Sequence, residues 1–251
     1  MTGELAEAVV DLAAVPGNVE RIAGATTAAV MAVVKADGFG HGALPVARAA
    51  LAGGAGWLGV TSAAEALELR SAGLTAPVLS WLHGPDADFA ALAAADVDVS
   101  VAAPELLDAV AAAARGTGRT VQVHLKIDTG MSRHGATADA WPELVAWARK
   151  YEREGVLAVR GVWSHLATAD SSPYGVTAQT AAFAEAVAYA RDAGLDPELL
   201  HLANSAAAFT APQTHSAPLV IAIMSSKAAE DAKYHQALLA EAAAHVVATL
   251  T

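Results

Sequence analysis

At 251 residues with 55% hydrophobic side chains, the chain is long enough for one large domain with a sizeable core. A formal net charge of −11 argues against binding a nucleic-acid backbone or an anionic membrane, and the absence of cysteine excludes disulfides and thiolate catalysis. The start MTGELAEAVV lacks the cationic segment and long apolar core of a signal peptide, and no apolar run is free enough of breakers to span a bilayer, so a cytoplasmic globular protein is expected.

In chain order, VVDLAAVPGNVERIAG (8–23) reads as a helix within an N-terminal region 1–25. AAVMAVVK (28–35) is almost wholly apolar and β-branched, the pattern of a strand buried on both faces; Lys35 closes it before the glycine-rich turn ADGFGHG. WLGVT (57–61) predicts a second strand, and SAAEALELRSAG (62–73) a helix with Ser62 and Glu65 as a capping box and Gly73 as a stop. PVLSWL (77–82) and VDVSV (97–101) predict strands three and four, and PELLDAVAAAARG (104–116) a helix with proline early and glycine at its end. VQVHLKI (121–127), AVRGVWSH (158–165), LLHLA (199–203) and PLVIAIM (218–224) predict strands five to eight, with only a short connection after the seventh. SSKAAEDAKYHQALLAEAAAHVVATL (225–250) reads as a last helix with acids in its first turns. Strand–helix alternation implies parallel pairing, and eight units predict an α/β fold, a (β/α)₈ barrel forming a single domain over 1–251. A doubly wound open sheet is the alternative.

In a barrel of this kind the strands end at the face where chemistry is built. Four strand ends carry unusual polar residues: Lys35; Lys126 and Arg133 in LKIDTGMSRHG (125–135); His165 in SHLATAD (164–170); and Asn204 with Ser205 in HLANSAA (201–207). Each alone has an ordinary reading. Lys35 snorkels beside a turn, Lys126 pairs with Asp128, His165 is a satisfied strand-end histidine, and Asn204 with Ser205 caps a helix. Their convergence on one rim favours a site.

The stretches AVVKADGFGHG, VHLKIDTGMSRHG, SHLATAD and HLANSAA, in this order and spacing, resemble the N-terminal barrel domain of alanine racemases, isomerases that use pyridoxal 5'-phosphate. The resemblance covers roughly residues 8–215. It implies that Lys35 forms the Schiff base with pyridoxal phosphate and then exchanges a proton at the substrate's α-carbon, a task for an amine whose pKa falls in partly apolar surroundings. It implies that Arg133 engages the cofactor's phenolic oxygen and the substrate carboxylate, and that Lys126 occupies a position often carbamylated, buttressing that arginine. It further implies that His165 packs by the pyridine ring and that Asn204 and Ser205 bind the phosphate. The substrate implied is a small amino acid, alanine.

Three departures stand out. Phe39 replaces a usual tyrosine whose hydroxyl helps hold the phosphate; losing one hydrogen bond to a charged group is expected to cost roughly 1.5–3 kcal/mol of binding. THSAPLVIAIMSSK (214–227) replaces a segment like Arg-Pro-Gly-Ile-Ala-Leu-Tyr-Gly, placing Val220 where an arginine faces the pyridine nitrogen. Ala222 and Ile223 then fall where a Gly-Ile pair contacts phosphate, and 216–251 reads as an atypical final βα unit. Third, the family's β-rich second domain, which lends a tyrosine base to a partner subunit, has no counterpart; Tyr151, Tyr174, Tyr189 and Tyr234 match no such base. The expectation is an engineered, truncated or naturally single-domain barrel with impaired racemisation, as a monomer or weak homodimer. The alternatives are a single-domain cofactor-homeostasis protein and an empty scaffold without activity.

Overall fold

Short valine-rich runs build the centre of the molecule. A computed structural model describes residues 9–169, 173–211, 214 and 219–223, with backbone alone for 173–174 and 219–223. Strands β1 (Ala29–Val33), β2 (Trp57–Val60), β3 (Val78–Ser80), β4 (Asp98–Val101), β5 (Val121–Lys126), β6 (Leu157–Trp163) and β7 (Leu199–His201) pair in parallel, each with the next in the chain. The sheet curls. The backbone of β8 (Leu219–Ile223) runs beside β1 from Ala29↔Leu219 to Val33↔Ile223 and meets β7 at His201↔Leu219. Because β1 is bonded on both sides, to β2 and to β8, an open sheet with β1 at an edge is excluded.

Helices wrap the outside: α1 (Ala14–Gly24) ahead of β1, then α3 (Ala43–Ala52), α4 (Ala63–Ser71), α5 (Phe89–Ala94), α6 (Pro104–Thr117), α7 (Trp141–Arg153), α8 (Pro173–Asp192) and α9 (Ser205–Thr210) after successive strands. The segment α2 (Lys35–Phe39) is a short turn at the rim. Alternation along the strands divides the core into two layers. Met31, Val33, Trp57, Leu79 and Trp163 fill the barrel interior. Val30, Ala32, Leu58, Val78 and Val99 face outward onto buried helix residues such as Val46, Leu69, Leu107 and Leu144. Each fully buried leucine contributes roughly 1.5–3 kcal/mol over exposure. Among the described residues no helix is long and apolar enough to cross a membrane.

The interior is also polar in one layer. His124 Nε2 lies 3.0 Å from Asp98 Oδ2, His124 Nδ1 lies 2.9 Å from His201 Nε2, and Trp163 Nε1 donates to Ser100 Oγ at 2.8 Å. Burying polar groups in such a core is costly unless they are partnered, and these contacts offset that cost; His201 Nδ1, in the same layer, has no partner. Room for His124 comes from Gly161 on the facing strand, where a Cβ would stand 2.3 Å from His124 Nδ1. The β5–β6 register slips by one residue at this point. The extra residue, Arg160, turns to Glu198 and Asp98.

Several expectations need adjusting. The capping box on α4 is present in full: Glu65 N–H donates to Ser62 Oγ and Ser62 N–H to Glu65 Oε2. β1, however, ends at Val33, so Lys35 does not close the strand but opens the turn that follows. The first helix begins at Ala14 rather than at residue 8, after Asp11 Oδ1 accepts the Ala13 N–H and bends the chain. The link after β7 is not bare: it contains α9. The last expected helix, 225–250, lies outside the described residues, as do 1–8.

Candidate active site

Lys35 sits at the start of a left-handed turn. Ala36, Asp37, Gly38 and Phe39 have φ of 52°, 52°, 62° and 59°. Non-glycine residues there cost roughly 1–2 kcal/mol each, so the turn persists only because its surroundings over-determine it. Gly38 N–H donates to Val34 O at 2.9 Å and Gly42 N–H to Asp37 O at 2.8 Å. Asp37 Oδ1 accepts the Ala43 N–H at 2.7 Å, and Glu65 Oε1, from α4, accepts the Ala36 N–H at 2.7 Å. The Lys35 ammonium lies 5.8 Å from the centroid of the Phe39 ring. Burial lowers its pKa, the Arg133 charge lowers it further, and Glu65 opposes both.

A second turn follows β5. Asp128 Oδ1 accepts N–H groups from Gly130 and Ser132 at 2.9 and 3.0 Å, closing a loop that brings the Arg133 carbonyl back over the barrel. Lys126 Nζ donates to that carbonyl at 3.1 Å and rests 4.4 Å from the centroid of the Trp163 ring. The expected Lys126–Asp128 pair is therefore absent as a direct bond, because the carboxylate is committed to the loop's amides. Asp128 still acts on Lys126 through space, but burial, Arg133 and Lys35 outweigh it and push the amine down to about 8.

His165 follows β6 and is half-buried. Its loop is fixed by Gln179 of α8, whose Oε1 accepts the Ala167 N–H at 2.9 Å while its Nε2 donates to His165 O and Thr129 Oγ1. Burial pushes the imidazole down to about 4, reinforced in turn by Arg133, Lys126 and Lys35. Three cations from two strand ends thus bear on one neutral ring. In a chain of net charge −11 this rim is locally cationic.

Not every expected residue joins that group. Asn204 is the N-cap of α9, accepting the Ala207 N–H at 3.0 Å, and Ser205 beside it is buried; the ordinary cap reading holds there. Topology puts them at the C-terminal end of β7, on the same rim. Ala222 and Ile223 lie in β8, level with Ala32 and Val33 of β1, and Val220 lies level with Val30. Two residues at the rim escaped sequence reading. Glu65 was legible only as a cap, and Trp81, just past β3, only as core. The Trp81 indole N–H is buried without a partner, and its ring stands 5.9 Å from that of Trp163.

Lys126 gives a stability signature. Folded, it loses its proton near pH 8; unfolded, near 10.4. Below pH 8 both states are protonated and the burial penalty is complete. Between pH 8 and 10.4 the unfolded chain holds more protons, so stability rises with pH, by roughly 3 kcal/mol in full. Lys126→Met should be more stable than the parent at pH 7 and lack this part of the rise. Urea midpoints at pH 7 and 10, in bicarbonate-free buffer, with equal slopes for both proteins would refute it.

A sequence model described as "Alanine racemase, N-terminal domain" matches residues 10–220. The chain belongs to this family. It is 54% identical over 210 residues to an alanine racemase of Frankia casuarinae, covering 83% of this chain and 55% of that protein. With an alanine racemase of Beutenbergia cavernae it shares 53% over 212 residues, 84% of this chain and 56% of the other. Among solved structures, the alanine racemase of Streptomyces lavendulae superposes with a TM-score of 0.83 at 45% identity, covering 85% of this chain and 56% of that one. That of Streptomyces coelicolor A3(2) gives 0.83 at 44%, covering 85% and 57%. The chain spans about half the length of the alanine racemases it matches. The cationic rim is a part of the alanine racemase N-terminal barrel.

Proposed function

We propose that the chain is the pyridoxal-phosphate-binding barrel of an alanine racemase, a single (β/α)₈ domain over 1–251 with 1–25 as a leading helical region and 216–251 as its final βα unit. The observation that carries this reading is the convergence of Lys35, Lys126 and Arg133 on His165, with the Lys35 amine shifted toward its free base. The residues present fit the group: a phosphate and a phenolate call for cationic surroundings, an aldehyde calls for an unprotonated amine, and the Trp81 N–H is a buried donor without a partner. When bound, the pyridine ring supplies an electron sink for the substrate's α-carbon.

Lys35 holds the cofactor covalently and moves the α-proton on one face. The planar fork of Arg133 orients the substrate carboxylate and the phenolic oxygen. His165, neutral at physiological pH, packs by the ring without adding charge. Lys126, part of it free base at neutral pH, can add carbon dioxide through its nitrogen and release a proton to solvent, and the resulting carbamate anion would brace Arg133. Asn204 and Ser205 present the N-terminus of α9 to the phosphate, with Ala222 and Ile223 beside them by register. Phe39 brings no hydroxyl to that phosphate, and Val220 brings no cation to the pyridine nitrogen. We infer a cytoplasmic protein acting on alanine, with no nucleic-acid or membrane partner, as a monomer or weak homodimer.

Phe39 and Val220 favour a second reading, a cofactor carrier without turnover. Mixing with pyridoxal phosphate should give absorbance to the red of the free aldehyde, and no such band would overturn both readings. Among the described side chains no tyrosine serves the opposite face: the Tyr151 hydroxyl bonds Asp108 in the outer helical layer, and Tyr189 is exposed on α8. The resemblance to alanine racemases implies that Lys35 serves the face of the D-enantiomer, so the α-proton of D-alanine should exchange in heavy water faster than that of L-alanine. A positioned base contributes roughly 10²–10⁴-fold, which sets the scale of the expected asymmetry. Exchange of neither enantiomer would leave the carrier reading.

A further inference from the structure

The two oxygens of Glu65 face different elements. Oε2 accepts N–H groups from Thr61 at 2.7 Å and Ser62 at 3.0 Å, which completes the cap of α4. A capping box requires no more than that. Oε1 reaches instead across to the rim turn and accepts the Ala36 N–H at 2.7 Å. That N–H belongs to the peptide joining Lys35 to Ala36, and Ala36 is the first of five consecutive residues with positive φ. Fixing this peptide plane fixes the direction in which the Lys35 side chain leaves the backbone. The turn has other hydrogen bonds: Gly38 N–H to Val34 O spans Lys35, while Ala43 N–H to Asp37 Oδ1 and Gly42 N–H to Asp37 O hold the far end; the Ala36 N–H itself goes to Glu65. We propose that Glu65 is a positioning residue for Lys35, a carboxylate clamp that couples the N-terminus of α4 to the left-handed turn carrying the reactive amine.

The chemistry calls for a carboxylate rather than an amide. Both oxygens act as acceptors toward backbone donors pointing from opposite sides. Glutamine keeps the shape but has one acceptor oxygen; its NH₂ would face an N–H on one side or the other. The clamp also has an electrostatic component, since the Glu65 charge favours the protonated amine that burial and Arg133 disfavour. The proposal rests on Lys35 as the amine that takes the cofactor, yet it can be tested without that cofactor.

Three variants separate the roles: Glu65→Gln, Glu65→Ala and Ser62→Ala. Ser62→Ala removes the cap of α4 and leaves the clamp. Hydrogen–deuterium exchange of the 35–42 segment reads the turn. Acetylation of Lys35 by acetic anhydride across pH reads its amine directly. Both glutamate variants should exchange at least tenfold faster in this segment and shift the acetylation midpoint to lower pH. Ser62→Ala should lower the urea midpoint while moving neither readout. Exchange and midpoint at parental values in Glu65→Gln would overturn the clamp, as would equal changes in Ser62→Ala. Trapping with pyridoxal phosphate and borohydride is the separate arm. If the parent protein takes no cofactor while Glu65→Gln still shifts the turn, the cofactor reading fails and the clamp stands.

Discussion

Replacing Lys35 by alanine is expected to eliminate the borohydride-fixed adduct with pyridoxal phosphate and its red-shifted absorbance. Imine formation needs a neutral amine. A lysine of ordinary pKa, about 10.4, holds roughly one free amine in a few thousand at pH 7, and each unit of depression multiplies that by ten. Burial and Arg133 depress Lys35, and the turn fixes it at the rim. The internal competitor is Lys126, whose amine is lowered to about 8. Lys126 is nevertheless engaged: it donates to the Arg133 carbonyl and lies against Trp163 beneath the loop 128–135. Lys150, by contrast, is exposed on α7 and held over Trp147, outside the turn that follows β1. Lys126→Ala should accordingly keep the adduct. Peptide mapping decides the matter, and an undiminished adduct in Lys35→Ala, located at Lys126, would move the role there.

The strands were legible because strands buried on both faces read as continuous apolar runs, as MAVV and WLGV do, while VDVSV shows the period-two alternation of a strand. The α4 cap was legible because Ser62 and Glu65 stand at the spacing its geometry demands. The turn after β1 was not. Ala36 and Phe39 disfavour positive φ, and Asp37 only tolerates it; the glycines around them announce a turn but not its hand. Lys35 was consequently assigned to the strand's end when the strand stops two residues earlier. Lys126 was legible as an oddity, but its partner was not, since Asp128 serves local amides that sequence gives no reason to rank above a neighbouring ammonium. Glu65 shows the same limit from the other side. A residue with a sufficient local explanation conceals a long-range one, and Ala36 lies 29 positions away. The polar layer inside the barrel was hidden likewise: in VQVHLKI, His124 reads as an interruption, and only the parallel pairing brings it to Asp98 and His201.

Gly161→Ala is expected to be severely destabilising for a change of one methyl group. The added Cβ would meet His124 at 2.3 Å from Nδ1 and 2.9 Å from Cε1, distances no real carbon tolerates. His124 cannot retreat. It is fully buried, its Nε2 is bonded to Asp98 and its Nδ1 to His201, and Trp57 packs against its edge. Nor can Gly161 move freely, because it is paired to His124 on one side and Leu199 on the other. Overpacking a tight core costs roughly 1–3 kcal/mol, and breaking the His124–Asp98 hydrogen bond would leave the buried carboxylate with Arg160 as its remaining partner, at roughly 1–3 kcal/mol more. A loss toward the upper end of these ranges is expected. Gly116→Ala is the matched control: Gly116 lies in α6 with nothing within 4 Å of an added Cβ, so alanine there should stabilise by roughly 0.5–1 kcal/mol. Urea midpoints for the two variants should move in opposite directions. If steric conflict with His124 is the cause, His124→Ala should absorb most of the Gly161→Ala penalty, making the double variant far less unstable than the sum of the singles. Additive losses would show that Gly161 is required for another reason.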